Sequence, residues 1–88
     1  MSGRPRIIFV DDEPSVLSGL RRQLWERRSH WDMEFAPGGA EALAYLEAAP
    51  ADVVVSDMRM PEMDGAALLE QVRQHWPSTV RILLTGYT

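Results

Sequence analysis

The chain has 88 residues with a formal net charge of −4, which suits one small domain and offers no basic footprint for nucleic acid. It contains no cysteine, which excludes disulfides and thiolate metal sites and agrees with a cytoplasmic location. No apolar run approaches the roughly 18 residues of a membrane span, and no signal peptide opens the chain.

The first predicted elements are a strand over Arg6–Val10 and a helix that begins at Pro14. The last four residues of the strand are all apolar, which favours a strand buried in a parallel sheet. Pro14 suits the first turn of a helix, where its missing N–H would have no intrahelical partner. Leucines at helical spacing predict that the helix continues to about Arg28, with Trp25 extending its apolar stripe and arginines on a solvated face.

Strands and helices alternate along the rest of the chain. Breaks at Pro37-Gly38-Gly39, Pro50 and Pro77 separate the apolar segments. The predicted elements are a strand over 33–36, a helix over 40–48, a strand over 52–56, a helix over 66–75 and a strand over 80–84. This β-α-β-α-β-α-β order with short connections predicts an α/β fold with a parallel sheet and right-handed crossovers.

Carboxylates follow two of the predicted strands. Asp11 and Asp12 come directly after the first strand, and Asp57 ends the apolar run that begins at Val53. Open α/β sheets bind ligands at the carboxyl ends of their strands, and in one common doubly wound order the first and third strands are neighbours. In that order the three carboxylates meet, and their mutual repulsion favours a hard divalent cation such as Mg²⁺. With a cation present, an ionised Asp57 can act as a nucleophile and form an aspartyl phosphate.

Three stretches of the sequence together resemble the receiver domain of two-component response regulators. They are Phe-Val-Asp-Asp-Glu over 9–13, Ser-Asp-Met-Arg-Met-Pro-Glu-Met-Asp-Gly over 56–65, and Leu-Leu-Thr-Gly over 83–86. Each stretch is modest alone, but their order at three strand ends is specific, and the resemblance covers essentially the whole chain. It implies a flavodoxin-like (CheY-like), doubly wound parallel sheet with the strand order 2-1-3-4.

The resemblance also implies a role for each site residue. Asp57 would accept a phosphoryl group from a sensor histidine kinase or a phosphotransfer protein. Mg²⁺ would be held by four groups, the carboxylates of Asp11, Asp12 and Asp57 and the backbone carbonyl of Arg59. Thr85 would contact the phosphoryl group and carry the conformational switch that an output domain of the parent protein reads.

Residues 1–88 are expected to form the N-terminal portion of a receiver domain. The family continues with a fourth helix, a fifth strand that bears a phosphate-contacting lysine, and a fifth helix, whereas this sequence has none of these and no lysine at all. The apolar fourth strand would then lie at an edge of the sheet, so we expect the truncated chain to self-associate. Pro61 and Gly65 would shape the loop that follows the acceptor.

The same residues allow three alternative interpretations. The acids before Pro14 are also favoured simply because they precede a helix. A receiver fold can serve as an interaction module that signals through association without phosphorylation. A Mg²⁺-dependent hydrolase is a further alternative, but such enzymes place a second acid two residues after the nucleophile, where this chain has Arg59. The leading hypothesis is a signalling module, not a conventional enzyme, with no nucleic-acid or membrane contact through this segment.

Overall fold

The computed structural model describes residues 3–84, which form one four-stranded parallel sheet with three α-helices. The strands are β1 (Arg6–Val10), β2 (Asp32–Ala36), β3 (Val53–Asp57) and β4 (Val80–Leu84), and the helices are α1 (Pro14–Gln23), α2 (Gly39–Ala48) and α3 (Gly65–His75). The spatial order is β2-β1-β3-β4. The predicted fold class and strand order are therefore confirmed. Among residues 3–84, no helix combines the length and apolar character needed to cross a membrane.

The first helix ends earlier than predicted. α1 stops at Gln23, and a short 3₁₀ helix over Trp25–Ser29 replaces the last predicted turns. Short 3₁₀ segments are frequent at helix ends, and this one has its own support: Arg28 donates to the carbonyl of Trp25 at 2.7 Å and lies over its ring at 4.0 Å. The prediction that Trp25 extends the apolar stripe of this helix was wrong, because Trp25 lies in the 3₁₀ helix and is 54% exposed.

The core lies on one face of the sheet. Ile8 and Val54, which are paired in register, are fully buried, and α2 and α3 cover them with residues such as Leu46 and Leu68. On the other face the cover is thinner, because none of the residues of α1 is buried. β3 shows the difference directly: alternate residues are buried on the α2–α3 side and only half-buried on the α1 side.

Within residues 3–84, strand β4 lies at an edge of the sheet and pairs only with β3. Its start is anchored by Thr79, whose buried hydroxyl donates to the carbonyl of Ala51 at 2.7 Å. All five residues of β4 are nevertheless exposed, including Val80, Ile82 and Leu84 at 55%, 43% and 50%. Exposed apolar residues on an edge strand form a surface that can pair with another chain.

Arg6 fixes the C-terminal end of α2 to the sheet, a role that the sequence did not suggest. Its guanidinium donates to the carbonyls of Tyr45 and Ala49, and it also lies 3.4 Å from the carboxylate of Glu34 on β2. Carbonyls at the end of a helix lack partners within the helix. The Arg6 side chain supplies such a partner to the carbonyl of Ala49 at the C-cap of α2, and it adds a second donor to the carbonyl of Tyr45, which already accepts from the amide of Ala49.

Candidate functional site: an acidic cluster at the carboxyl edge of the sheet

Asp11, Asp12 and Asp57 meet at the carboxyl edge of the sheet. Val10 of β1 pairs with Ser56 of β3, so the residues that follow each of them emerge side by side. One carboxylate oxygen from each of the three aspartates lies within 4.8 Å of the other two. The structure thus brings together the three carboxylates that the strand order predicted would meet.

The carboxylate of Asp11 also has a structural role. Its Oδ1 accepts a hydrogen bond from the amide of Glu13 at 2.9 Å, while its own amide donates to the carbonyl of Ala36 at 3.1 Å. A side-chain bond to the backbone two residues ahead is a typical Asx turn, and here it leads the chain into Pro14 and α1. Glu13, at the N-cap of α1, makes no capping bond with its side chain. A role of Asp11 at the start of α1 therefore accounts for its hydrogen bond to Glu13. It does not explain why the carboxylates of Asp11, Asp12 and Asp57 lie together.

The surroundings of Asp11 disfavour its ionised form. Burial raises the pKa of Asp11 above its ordinary value, the hydrogen bond from the Glu13 amide lowers it, and the charges of Asp57 and Asp12 raise it further. A cation among the three oxygens would oppose the repulsive contribution and favour the ionised carboxylate. Three carboxylate oxygens at this spacing suit a small hard cation that keeps several waters, as Mg²⁺ does.

The loop after Asp57 begins under tight backbone control. The amide of Met58 donates to the carbonyl of Leu84 at 2.9 Å, and the Met58 carbonyl accepts from the amide of Gly65, also at 2.9 Å. A Cβ at position 65 would fall well inside contact distance of the Asp57 carbonyl oxygen and would lie 2.7 Å from a methyl carbon of Leu83. Glycine is required there because the backbone of α3 approaches the backbone of β3 so closely. This contact supports the predicted role of Gly65 in shaping the loop.

The remainder of the loop contains a tight turn and a helix cap. The amide of Met63 donates to the carbonyl of Pro61 at 2.7 Å, and Glu62 between them has a φ of 68°. A three-residue turn with positive φ is uncommon and strained for a residue other than glycine. Asp64 then caps α3, its Oδ1 accepting from the amide of Ala67 at 2.8 Å. The loop between Asp57 and α3 is therefore held at both ends.

Thr85 and Arg59 are the other two predicted site residues. Thr85 lies outside the described residues, immediately after Leu84, which pairs with Asp57 in the sheet. Arg59 is exposed in the loop two positions after Asp57. The metal-binding role of its backbone carbonyl stays a prediction.

Two features were not predicted from the sequence. Ser56 is fully buried in β3, and its hydroxyl donates to the carbonyl of Asp57 at 2.9 Å, which adds a local contact to the Asp57 backbone. Its position two residues after the buried Val54 was the available signal, because alternate residues of a strand share a face. The second feature is a group of arginines and aromatic rings beside β2, where the sequence pattern predicts only a solvated face.

The sequence matches the family described as "Response regulator receiver domain" over residues 7–88. The chain belongs to this family of two-component signalling modules, and its flavodoxin-like fold agrees with that membership. It is 39% identical over 82 residues to the hydrogenase transcriptional regulatory protein HoxA of Cupriavidus necator, a match that covers 93% of this chain and 16% of that protein. It is 38% identical over 89 residues to the sensor kinase CckA of Brucella abortus, covering 99% of this chain and 9% of the kinase.

Solved structures give the same fold. The signal receiver domain of an HD domain-containing protein from Pseudomonas fluorescens Pf-5 matches with a TM-score of 0.89 at 37% identity, covering 99% of this chain and 62% of that one. The chemotaxis protein CheY4 of Vibrio cholerae matches with a TM-score of 0.84 at 31% identity, covering 97% of this chain and 71% of that one. The chain therefore spans less than two thirds of the Pseudomonas receiver structure and only a small part of the two curated relatives.

Proposed function

We propose that this chain is a phosphoacceptor module in which Asp57 receives a phosphoryl group, with Mg²⁺, from a histidine kinase or a phosphotransfer protein. The observation that carries the proposal is the meeting of three carboxylates within 4.8 Å at the carboxyl edge of the sheet. Family membership supports it, and so do the names of two relatives, a sensor kinase and a transcriptional regulatory protein. An output domain in the parent protein would respond to the conformational change that follows phosphorylation.

In this proposal the protein supplies the nucleophile and its position. A carboxylate oxygen of Asp57 forms the new bond to phosphorus as the bond between phosphorus and the donor breaks. The carboxylates of Asp11, Asp12 and Asp57, with the Arg59 carbonyl, would hold a Mg²⁺ that neutralises the charge of the transferring group. The Asp57 backbone is held by β4 on one side and by the close approach of Gly65 on the other, which limits the positions its side chain can reach. Thr85 would then contact the phosphoryl oxygens and transmit the change.

Several finer statements belong to the same proposal. Residues 1–88 correspond to the N-terminal portion of a receiver domain, in keeping with their coverage of 62% and 71% of the two solved structures. Receiver domains are signalling modules, and we propose that this one is the substrate and switch of the transfer, not a conventional enzyme. A cytoplasmic location and the absence of nucleic-acid and membrane contacts stay predictions from the sequence.

The proposal can be tested with a phosphate mimic. Beryllofluoride is added to the protein with and without Mg²⁺, and backbone amide shifts are followed by NMR. We expect beryllofluoride to shift the amides at the ends of β1 and β3 only when Mg²⁺ is present, beyond any shift that Mg²⁺ causes alone. Asp57→Asn should abolish them, whereas Glu62→Gln, which neutralises an acid of the same loop outside the cluster, should not. An equal response in Asp57→Asn would place the binding elsewhere.

A second proposal concerns association without phosphorylation. We propose that the 88-residue chain self-associates through β4, because the apolar side chains of this strand are exposed and its outer edge is unpaired within residues 3–84. Sedimentation velocity over a wide concentration range should show a dimer or larger species. Ile82→Lys places a charge on this strand and should return the protein to a monomer. A monomer at every concentration would contradict the proposal.

A further inference from the structure

A concave site lies beside the edge strand β2, and no residue of the acidic cluster contributes to it. It is a cavity of about 340 Å³, within the range of small-molecule sites. Its walls come from the start of the chain, the end of α1, the 3₁₀ helix and β2. Its central residues are Arg21, Trp25, Arg28, Trp31 and Phe35, here called the arginine–aromatic pocket.

Two guanidinium groups of the pocket are stacked on aromatic rings. Arg28 lies 4.0 Å above the ring of Trp25, and Arg21 lies 4.8 Å above the ring of Phe35. The Phe35 ring is itself stacked on Phe9 with centroids 5.3 Å apart, so Arg21 rests on a fixed surface. A guanidinium that uses its face for stacking keeps N–H donors along its edge, in a fork that matches a carboxylate.

These donors are largely uncommitted. Arg28 donates one hydrogen bond to the carbonyl of Trp25, and within residues 3–84 neither Arg21 nor Arg28 forms an ion pair with a carboxylate. The stacking fixes the two groups without neutralising them. They are thus prepared for an anion that comes from outside the chain.

The cavity walls carry an excess of positive charge. Arg21 and Arg28 bring their guanidinium groups to the cavity walls, and the carboxylates among its walls are those of Asp32 and Glu34. Glu34 is already paired with Arg6 at 3.4 Å, which leaves the two guanidinium groups beside the single carboxylate of Asp32. This local excess occurs in a chain whose formal net charge is −4. Trp25 is also 54% exposed, so the pocket offers apolar aromatic surface beside its positive groups.

We propose that the arginine–aromatic pocket binds a small aromatic carboxylate. The carboxylate would accept hydrogen bonds from the edges of Arg21 and Arg28, and the flat ring would pack against the indoles of Trp25 and Trp31. The combination of stacked guanidinium groups, exposed indole surface and a cavity of small-molecule size supports this class of ligand over an anion without an aromatic body. The proposal stands independently of phosphoryl transfer at Asp57.

The test is an NMR titration with benzoate as the probe. We expect saturable shifts at the indole N–H groups of Trp25 and Trp31 and at the amides of the pocket. Benzamide, which keeps the ring and lacks the charge, and acetate, which keeps the charge and lacks the ring, should each bind at least about tenfold more weakly. Equal binding of benzoate and benzamide would overturn the proposal, as would benzoate shifts confined to other parts of the protein.

Matched arginine variants locate the site. Arg21→Gln and Arg28→Gln should each weaken benzoate binding by about tenfold or more, because each removes a charge-assisted hydrogen bond. Arg21→Gln leaves intact the contacts of Arg28 that support the 3₁₀ helix. A loss of benzoate binding in this variant therefore cannot be caused by unfolding of that helix. Arg22→Gln removes the same charge from the same helix outside the pocket and should have little effect. An equal loss in Arg22→Gln, or saturation by an acidic peptide with no response to benzoate, would refute the assignment.

Discussion

The contact between Gly65 and the Asp57 backbone predicts that Gly65→Ala destabilises the protein. The added methyl carbon would overlap the Asp57 carbonyl oxygen and lie 2.7 Å from the Leu83 side chain. The first overlap is with backbone of β3, so relief requires movement of the strand or of α3. Overpacking of this kind costs about 1–3 kcal/mol, and a gain in helix propensity of about 1 kcal/mol offsets only part of it.

Gly19→Ala is the matched control. Gly19 lies within α1, and a Cβ built there meets no atom within 4 Å. The same substitution should therefore stabilise the protein by about 0.5–1 kcal/mol through helix propensity alone. Two identical chemical changes, both in helices, are predicted to act in opposite directions because of one backbone contact.

Urea unfolding measures both variants. A domain of this size has a free energy of unfolding of about 4–13 kcal/mol, so a net loss of up to about 2 kcal/mol is measurable as a lower midpoint. Gly65→Ala should also weaken the response to beryllofluoride and Mg²⁺, since the Asp57 backbone has to move. A urea midpoint for Gly65→Ala equal to or above that of the original protein would refute the predicted overlap.

Three further predictions concern the acidic cluster and its loop. The pKa of Asp11 is raised on folding, so stability should fall as the pH rises from the unfolded-state pKa through the folded-state pKa; Asp11→Asn should lack this fall and, at neutral pH without Mg²⁺, unfold at higher urea. Mg²⁺ should raise the urea midpoint of the original protein but not that of Asp12→Asn, and an equal rise in both would argue against the proposed metal site. Asp64→Ala should lower the free energy of unfolding by about 0.5–2 kcal/mol. Asp64→Asn can still accept from the amide of Ala67 and should retain most of the stability that the cap contributes.

The sheet and the place of the acidic cluster were predictable because their signals are local. Continuous apolar residues mark β1 and β3, and the aspartates follow at the strand ends. The neighbouring position of β1 and β3 came from the family resemblance. Apolar runs and turn residues do not by themselves decide which parallel strands pair.

The end of α1 was not predictable from leucine spacing. The helix gives way to the 3₁₀ helix where Arg28 contacts the carbonyl and the ring of Trp25, and residue periodicity does not encode that contact. The arginine–aromatic pocket was missed for the same reason, because Arg21 and Phe35 lie on different elements and meet only when β2 joins the sheet. Burial on the two faces of β3 also depends on which helices cover them. Val54 is buried and Val55 is half-buried, although both are valines in the same apolar run.

The central claim, that Asp57 is the phosphoacceptor, is tested most directly by finding where a phosphoryl group is attached. The protein is incubated with acetyl phosphate and Mg²⁺, and peptides are mapped by mass spectrometry under conditions that preserve acyl phosphates. We predict one phosphoryl group, on Asp57, which is absent without Mg²⁺ and absent in Asp57→Asn. A phosphoryl group on another residue, or none on the original protein, would contradict the claim.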